Sequence, residues 1–275
     1  MCRFNKKLVV VITCLIVIIT LSGCSKTPDT AKDYLAKAYK NMSEVKSFSM
    51  STKLVMDTSM SGINSSMVVN TEVAMNHKPF ELTIVQNQQG KDGIPTTNYM
   101  YTRQKGPLQT FLYEKGKWNK IEMDEEQFEE QKMEYNTPVD FGLYFNEVDS
   151  FAITSSKDKV IVLEGTVSGD NMVNVLRKTG ALKQLSLSSF PEKELEDARP
   201  IKVKASLNAD TVCLTKVSID MADTYQDLSN LLFGEDSLVN PKINQCTVEL
   251  NNIKLNQQYE ISMPEDIKLA LKKML

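Results

Sequence analysis

The sequence has little of the chemistry on which most enzymes depend. It contains one histidine, His77, and one tryptophan among 275 residues. A single histidine excludes a His-based metal cluster and a Ser-His-Asp triad. The sequence also has no glycine-rich phosphate loop and no Cys-x-x-Cys motif. Because His77 stands beside Lys78 and Pro79, it is predicted to be a surface turn residue. We expect no catalysis, no bound metal and no cofactor.

An excess of positive charge is also absent. Without residues 1–23, which carry three basic and no acidic side chains, the chain has 29 Lys and Arg against 35 Asp and Glu, a net charge of −6. Nucleic-acid binding calls for a basic face, so this balance argues against a nucleic-acid partner.

The first 24 residues consist of a basic start, an apolar run and a short motif that ends in cysteine. Arg3, Lys6 and Lys7 precede the apolar segment 8–21, which ends in Leu-Ser-Gly-Cys at Cys24. The run is shorter than the ~20 residues that cross a bilayer, so it is typical of an export signal that is removed. The cysteine at its end resembles the lipobox of bacterial lipoproteins. The alternative is an ordinary signal followed by an ordinary cysteine.

The lipobox resemblance implies a signal peptide at 1–23, a tether at 24–29 and a folded domain at 30–275. In such lipoproteins the Cys24 thiol is diacylglycerated and the mature chain begins there with two or three acyl chains. One acyl chain alone binds membranes only marginally, whereas two or more anchor stably. The expected location is the extracytoplasmic face of the cell membrane.

Only Cys213 and Cys246 remain as thiols outside the membrane. Both lie in predicted strands, and an oxidising compartment permits a disulfide between them. Two buried, unpaired cysteines are the alternative.

Apolar periodicity predicts a helix followed by a long antiparallel meander. Thr30 and Asp33 are typical of a helix cap before a helix over 31–42. Alternation then predicts strands around 46–56, 67–75, 80–84, 99–101 and 111–113, and later ones at 151–154, 160–166, 201–207, 211–221 and 243–250.

The remaining segments are predicted to be helices or loops. Seven acids between Glu122 and Glu134 indicate a solvated helix face rather than a metal cage. Further helices are predicted at 138–148, 171–178 and 264–274, the last with a capping box at Ser262–Glu265. Residues 222–242 are predicted to be a loop with an exposed Leu231-Leu232-Phe233 island.

The order of these elements resembles the LolA/LppX-like lipoprotein carrier superfamily, and more closely its uncharacterised Firmicutes lipoproteins. The resemblance rests on the lipobox, the helix, the meander beginning at 45–56, the 115–120 segment and the Pro-capped final helix. It implies an α+β fold in which a large curved antiparallel sheet, an incomplete barrel, has helices packed on its concave face. In this superfamily the fold encloses an apolar cavity.

Methionine on the apolar phase of the first strands favours an adaptable cavity wall, although methionine also fills ordinary cores. The predicted wall consists of Met50, Leu54, Met56, Met67, Val69, Val73, Phe80, Leu82 and Ile84. The aromatic side chains of Tyr99, Tyr101, Phe111, Tyr113 and Trp118 on neighbouring strands are predicted to be core or cavity wall.

The leading hypothesis is a membrane-anchored lipoprotein that binds a hydrophobic or lipid-like ligand without catalysis. The main alternative is an envelope protein-interaction or regulatory module with a solid core and an unknown protein partner. A third class, an envelope hydrolase with paired carboxylates, is disfavoured because glycan sites usually display several aromatic platforms.

Overall fold

The structure is a computed structural model. It describes residues 30–89, 95–104, 108–114, 116–124, 126–127, 148–178, 182, 187, 190–235, 237–256, 261, 265 and 267–269. Cys24, the signal and the tether lie outside these ranges, as do most of the acidic run and all of the helix predicted at 138–148 except Val148.

The described chain contains one α-helix before the first strands and three more among the later ones. The helices are α1 (Ala31–Ser43), α2 (Gly169–Lys178), α3 (Glu192–Glu196) and α4 (Ala222–Phe233). The strands are β1 (Ser47–Met60), β2 (Ile63–His77), β3 (Phe80–Gln89), β4 (Pro95–Gln104), β5 (Leu108–Glu114), β6 (Lys117–Met123), β7 (Ser150–Lys157), β8 (Val160–Val167), β9 (Ile201–Asn208), β10 (Cys213–Asp220) and β11 (Lys242–Leu255).

All eleven described strands form one open antiparallel sheet in the order β6-β5-β4-β3-β2-β1-β11-β10-β9-β8-β7. The first and last of these strands, β1 and β11, are neighbours in the middle, and β6 and β7 are the edges. The α+β class and the large antiparallel sheet predicted from the sequence are therefore confirmed.

Strict alternation gives the sheet one strongly buried face. In β9, Ile201, Val203, Ala205 and Leu207 are fully buried, whereas Lys202 and Lys204 are exposed. Because successive side chains of a strand point to opposite faces, these four mark what we call the core face. The antiparallel register continues it through Leu163 of β8 and Val217 of β10.

Helices cover this core face. Thr30 and Asp33 cap α1 reciprocally, because the Asp33 amide donates to Thr30 Oγ1 at 3.2 Å and the Thr30 amide donates to the Asp33 carboxylate at 3.3 Å. Ala38 of α1, Leu176 of α2 and Leu228 of α4 are buried in the same hydrophobic cluster as the strands. The predicted cap and the helices near 31–42 and 171–178 are confirmed.

The prediction of a loop at 222–242 is wrong over its first half, where α4 runs from Ala222 to Phe233. Tyr225, Leu228 and Leu232 recur at helical spacing and pack against the core. Leu231 and Phe233 stay exposed, so the predicted island divides between the two sides of one helix.

An ion network fixes the start of α4 to the start of β9. Arg199 donates to the Asp227 carboxylate at 2.8–3.1 Å and to Asp223 at 2.9 Å, and Lys202 also pairs with Asp223. Burial opposes ionisation of Asp227, but the hydrogen bonds and charge of Arg199 outweigh it and hold the pKa of this carboxyl below its usual value. The carboxylates are therefore charged at neutral pH, and the network sets the orientation of α4.

Ile267, near the carboxyl terminus, packs on the other face of the sheet, which we call the outer face. Ile267 is fully buried against Tyr101 and Phe111, whose neighbours Met100 and Leu112 point into the core. The prediction that the final helix covers the same face as α1 is therefore wrong at Ile267. Glu122 also departs from prediction, because it lies in β6 and not in a helix.

The predicted disulfide is not formed, because the register separates the two cysteines. Cys213 begins β10, whereas the Cys246 carbonyl accepts a hydrogen bond from Met221, just beyond the other end of that strand. Eight residues of strand correspond to about 26 Å, far beyond the ~7 Å that a disulfide spans. Both thiols are free, Cys246 is buried, and burial with nearby Asp220 raises its pKa to about 12.

Gly165 of β8 lies where the core face has no space for a side chain. A Cβ added there would stand 2.5 Å from the Ser150 carbonyl oxygen and 2.6 Å from Val148 Cγ1. We expect Gly165→Ala to lower the free energy of unfolding by about 1–3 kcal/mol through overpacking. Urea denaturation measures this loss, and Ser156→Ala on the exposed part of β7 is the control. Equal midpoints for the two variants would contradict the close approach.

Candidate functional site: the apolar face of the first three strands

The register brings all nine residues of the predicted wall to the core face of β1, β2 and β3. Met50 pairs with Val73, and Val73 pairs with Ile84 on the other side. Leu54 pairs with Val69, and Met56 pairs with Met67. Phe80 shares this face with Leu82, because both positions have the same parity in β3.

Burial changes along this wall. Met50, Val73, Leu82 and Ile84 are at most 3% exposed and belong to the main core cluster. Leu54 and Phe80 are partly buried and pack against that cluster. Met56, Met67 and Val69 are half-buried. Thr52 and Thr71 form a directly opposed, buried pair on the same face, between the closed part and Leu54. Beyond these two threonines the face continues as an apolar region that is partly open among the described residues.

Amide side chains border the open part of the wall. Gln86 and Gln88 continue the core face of β3 beyond Ile84, and Gln88 lies directly opposite Val69. Asn98 of β4 donates to Gln86 Oε1 at 3.5 Å. The sequence prediction missed these three residues, although the same parity that selected Leu82 and Ile84 selects both glutamines. An apolar surface with a few polar groups at its border is the usual composition of a small-molecule site.

Cys246 adds a neutral group to the wall. It pairs with Met56 across β1 and β11, on the side away from Met67. With a pKa near 12 the thiol is protonated at neutral pH, so it behaves as a small apolar side chain rather than a nucleophile.

A separate concavity of about 640 Å³ lies over β7 to β10. Its charged side chains belong to the outer face, so it is distinct from the predicted wall. Lys204 is paired with Glu164 at 2.6 Å, and this hydrogen bond lowers the pKa of Glu164. Lys202 is held by Asp223 at 2.8 Å. These charges are paired with one another, which describes a solvated surface.

The aromatic side chains divide between clusters outside the predicted wall. Tyr99, Tyr113 and Trp118 lie on the outer face with ring centroids 5.1–6.2 Å apart. Tyr101 and Phe111 lie beside them under Ile267. Burial and the neighbouring Glu81 carboxylate raise the pKa of Tyr101. The prediction that these aromatics belong to a core is confirmed for Tyr101 and Phe111, but their cluster lies on the face opposite the predicted wall.

Two further features concern metals and membranes. Across the described ranges, no three His, Cys, Asp or Glu side chains come together as a metal site. Within the same ranges, no helix has the length and apolar character that crossing a bilayer requires.

No family model matches the chain, and no curated protein matches it. Among solved structures it is similar to the lipoprotein LppX of Mycobacterium tuberculosis, with a TM-score of 0.40 and 9% identity over 83% of this chain and 96% of that one. A DUF1329 family protein from Desulfovibrio piger has a TM-score of 0.27 and 8% identity, covering 86% and 96% of the two chains. A domain from Vibrio parahaemolyticus named for outer membrane lipoprotein sorting has a TM-score of 0.28 and 10% identity, covering 86% and 97%.

Proposed function

We propose that this protein is a lipid-anchored extracytoplasmic lipoprotein that binds a hydrophobic or lipid-like ligand and carries out no chemistry on it. The observation that carries the proposal is the wall on β1 to β3, whose half-buried pairs Leu54–Val69 and Met56–Met67 lie on the same face as the buried core. Beyond the buried Thr52–Thr71 pair, where an ordinary face would stay polar as it leaves the core, two further apolar pairs follow.

The type of side chain in the open part supports an adaptable site. Met56 and Met67 are direct cross-strand partners, and methionine adjusts to ligands of varied shape. Gln86, Gln88 and Asn98 at the border provide amide donors and acceptors for the polar end of an amphipathic ligand.

The anchor in this proposal is Cys24. Its position directly after the apolar run 8–21 supports acylation, and a net charge of −6 on the mature chain gives no electrostatic attraction to an anionic membrane. Attachment would therefore rest on the acyl chains of Cys24.

The alternative function is an interaction module with a filled interior. The contact of Met50, Val73, Leu82 and Ile84 with the rest of the core favours it for that part of the wall. The two functions differ in what occupies the surface beyond Leu54.

We expect native mass spectrometry of the mature chain to show copurified lipid, and Leu54→Gln to reduce it strongly. Leu54 packs against the core and borders the open wall. In a ligand site its amide contacts ligand or water, whereas in a filled core a buried amide without a partner costs about 1–3 kcal/mol of stability.

The matched control is Val55→Gln, the next residue of the same strand, which is also half-buried but points to the outer face. Retained lipid with Val55→Gln and lost lipid with Leu54→Gln, at similar urea midpoints, support the site. A Leu54→Gln protein that is destabilised but keeps its lipid would contradict it, and a parent chain without lipid favours the interaction module.

A further inference from the structure

Four of the most exposed large apolar side chains of the described residues lie at one end of the sheet. Met60 and Ile63 flank the β1–β2 turn with exposures of 46% and 72%. Leu238 and Val239 lie in the segment between α4 and β11 with exposures of 85% and 59%. We call these four residues the apolar tip.

Hydrogen bonds join the two halves of the apolar tip. Ser61 and Gly62 both have positive φ, the geometry of a two-residue hairpin turn that follows the twist of its strands. The Ser61 hydroxyl donates to the Leu238 carbonyl oxygen at 3.2 Å. The hairpin and the segment are therefore neighbours in space as well as in exposure.

The segment that carries Leu238 is itself held in place. Asn240 Nδ2 donates to Asn230 Oδ1 at 2.7 Å and to the Gly234 carbonyl at 3.0 Å. The Ser237 amide also donates to the Gly234 carbonyl at 3.2 Å. Hydrogen bonds therefore fix the backbone that carries these apolar side chains, and the fold itself holds them in exposed positions.

Charge is absent from the apolar tip itself. Residues 58–66 and 237–241 contain no acidic or basic side chain, and in the sequence the second stretch is preceded by Glu235 and Asp236 and followed by Lys242. Removing this surface from water therefore requires no dehydration of an ion, and its partner needs no charge of either sign.

We propose that the apolar tip inserts into the interfacial region of the lipid bilayer to which the protein is anchored. This inference rests on the proposed anchor at Cys24. Six residues, 25–30, separate that anchor from the start of α1 at Ala31, and a fully extended tether of that length spans about 20 Å. The domain is therefore held close to a bilayer at high effective concentration.

The shape and composition of the apolar tip favour a bilayer over a rigid protein partner. Its side chains project outwards from turns, and none of the four is Trp, Tyr or Arg, the residues that dominate protein hot spots. Four side chains also fall short of the ~1,200 Å² that a specific protein interface buries. Acyl chains adapt to such projections.

The test uses the mature, acylated chain reconstituted in phosphatidylcholine vesicles whose acyl chains are brominated, because bromine quenches tryptophan within the bilayer. Ile63→Trp and Leu238→Trp report on the apolar tip, and the parent chain gives the signal of Trp118 alone. The control is Lys157→Trp, exposed at the opposite end of the sheet in β7.

We expect the added fluorescence at 63 and 238 to fall by about half or more, as for apolar groups buried ~5–10 Å into the boundary region, and that at 157 to stay unquenched. Because the apolar tip is uncharged, replacing half of the lipid by phosphatidylglycerol should leave the quenching unchanged. A second substitution, Ile63→Asn, should reduce the quenching of Leu238→Trp.

Two results would overturn the proposal while leaving the anchor intact. One is flotation of the protein with vesicles but no quenching at 63 or 238. The other is a blue shift at these positions that grows with protein density and not with bromine, which would identify a second copy as the occupant. Failure of the acylated chain to float with vesicles would remove the anchor, and the inference with it.

Discussion

Cells expressing the Cys24→Ala variant are expected to lose the protein from their membrane fraction or to retain it uncleaved. In the proposed lipoprotein Cys24 would be the first mature residue, and its acyl chains would supply the stable attachment. Fractionation followed by intact-mass measurement distinguishes the mature acylated chain from a released or unprocessed one.

A cysteine substitution in the folded domain provides the control. Cys213→Ser removes a free, partly exposed thiol that forms no disulfide, and this variant should stay in the membrane fraction at full acylated mass. Membrane retention of Cys24→Ala at its normal mature mass would show that attachment has another source.

Replacing Leu163 with alanine should be among the most destabilising single truncations in the described core. Leu163 is 0% exposed and lies in β8 between Ile153 and Ala205. Truncation leaves a cavity and lowers the free energy of unfolding by about 2–5 kcal/mol. The urea midpoint measures the loss.

Val160→Ala at the start of the same strand is the matched control, since Val160 is 37% exposed. We expect a change within about 0.5 kcal/mol there. Similar losses of unfolding free energy for the two variants would contradict the difference in burial between Leu163 and Val160.

Strands were the most predictable part of the fold, because a strand with one buried face has an apolar side chain at every second position. Ile201 to Leu207 shows this pattern fully, and its predicted range agrees with β9 to within one residue. The face shared by the nine wall residues followed from the same periodicity. What alternation cannot give is which strands pair, and so the central pairing of β1 with β11 comes from the structure alone.

The sequence analysis missed helix α4 because polar residues within it resemble those of a loop. Thr224 and Asp227 make the segment resemble a polar loop, yet both are engaged, Thr224 with the Arg199 carbonyl and Asp227 with the Arg199 side chain. Polar residues with tertiary partners are indistinguishable in sequence from solvated ones. The recurrence of Tyr225, Leu228 and Leu232 was the available signal.

The cluster of Tyr101, Phe111 and Ile267 on the outer face could also have been anticipated from the sequence of its two strands. Tyr99-Met100-Tyr101 and Phe111-Leu112-Tyr113 are apolar at every position, as expected for strands that are covered on both faces. The pattern indicates a second covering element but does not identify it. Likewise, alternation placed Cys213 and Cys246 in strands, whereas their distance depends on register, which one sequence does not encode locally.

The pairing of β1 with β11 also governs the order in which the sheet can be completed. Ser51 and Asn251 are joined by a hydrogen bond across 200 residues of sequence. Synthesis at 5–20 residues per second delivers β11 about 10–40 s after β1. A β1–β6 half-sheet that forms before β11 is available has β1 as an unpaired edge, the kind of surface that recruits strands from other chains. High contact order slows closure further, so the period of greatest risk for this protein is its biogenesis, and the yield of folded protein depends on how long that edge is shielded.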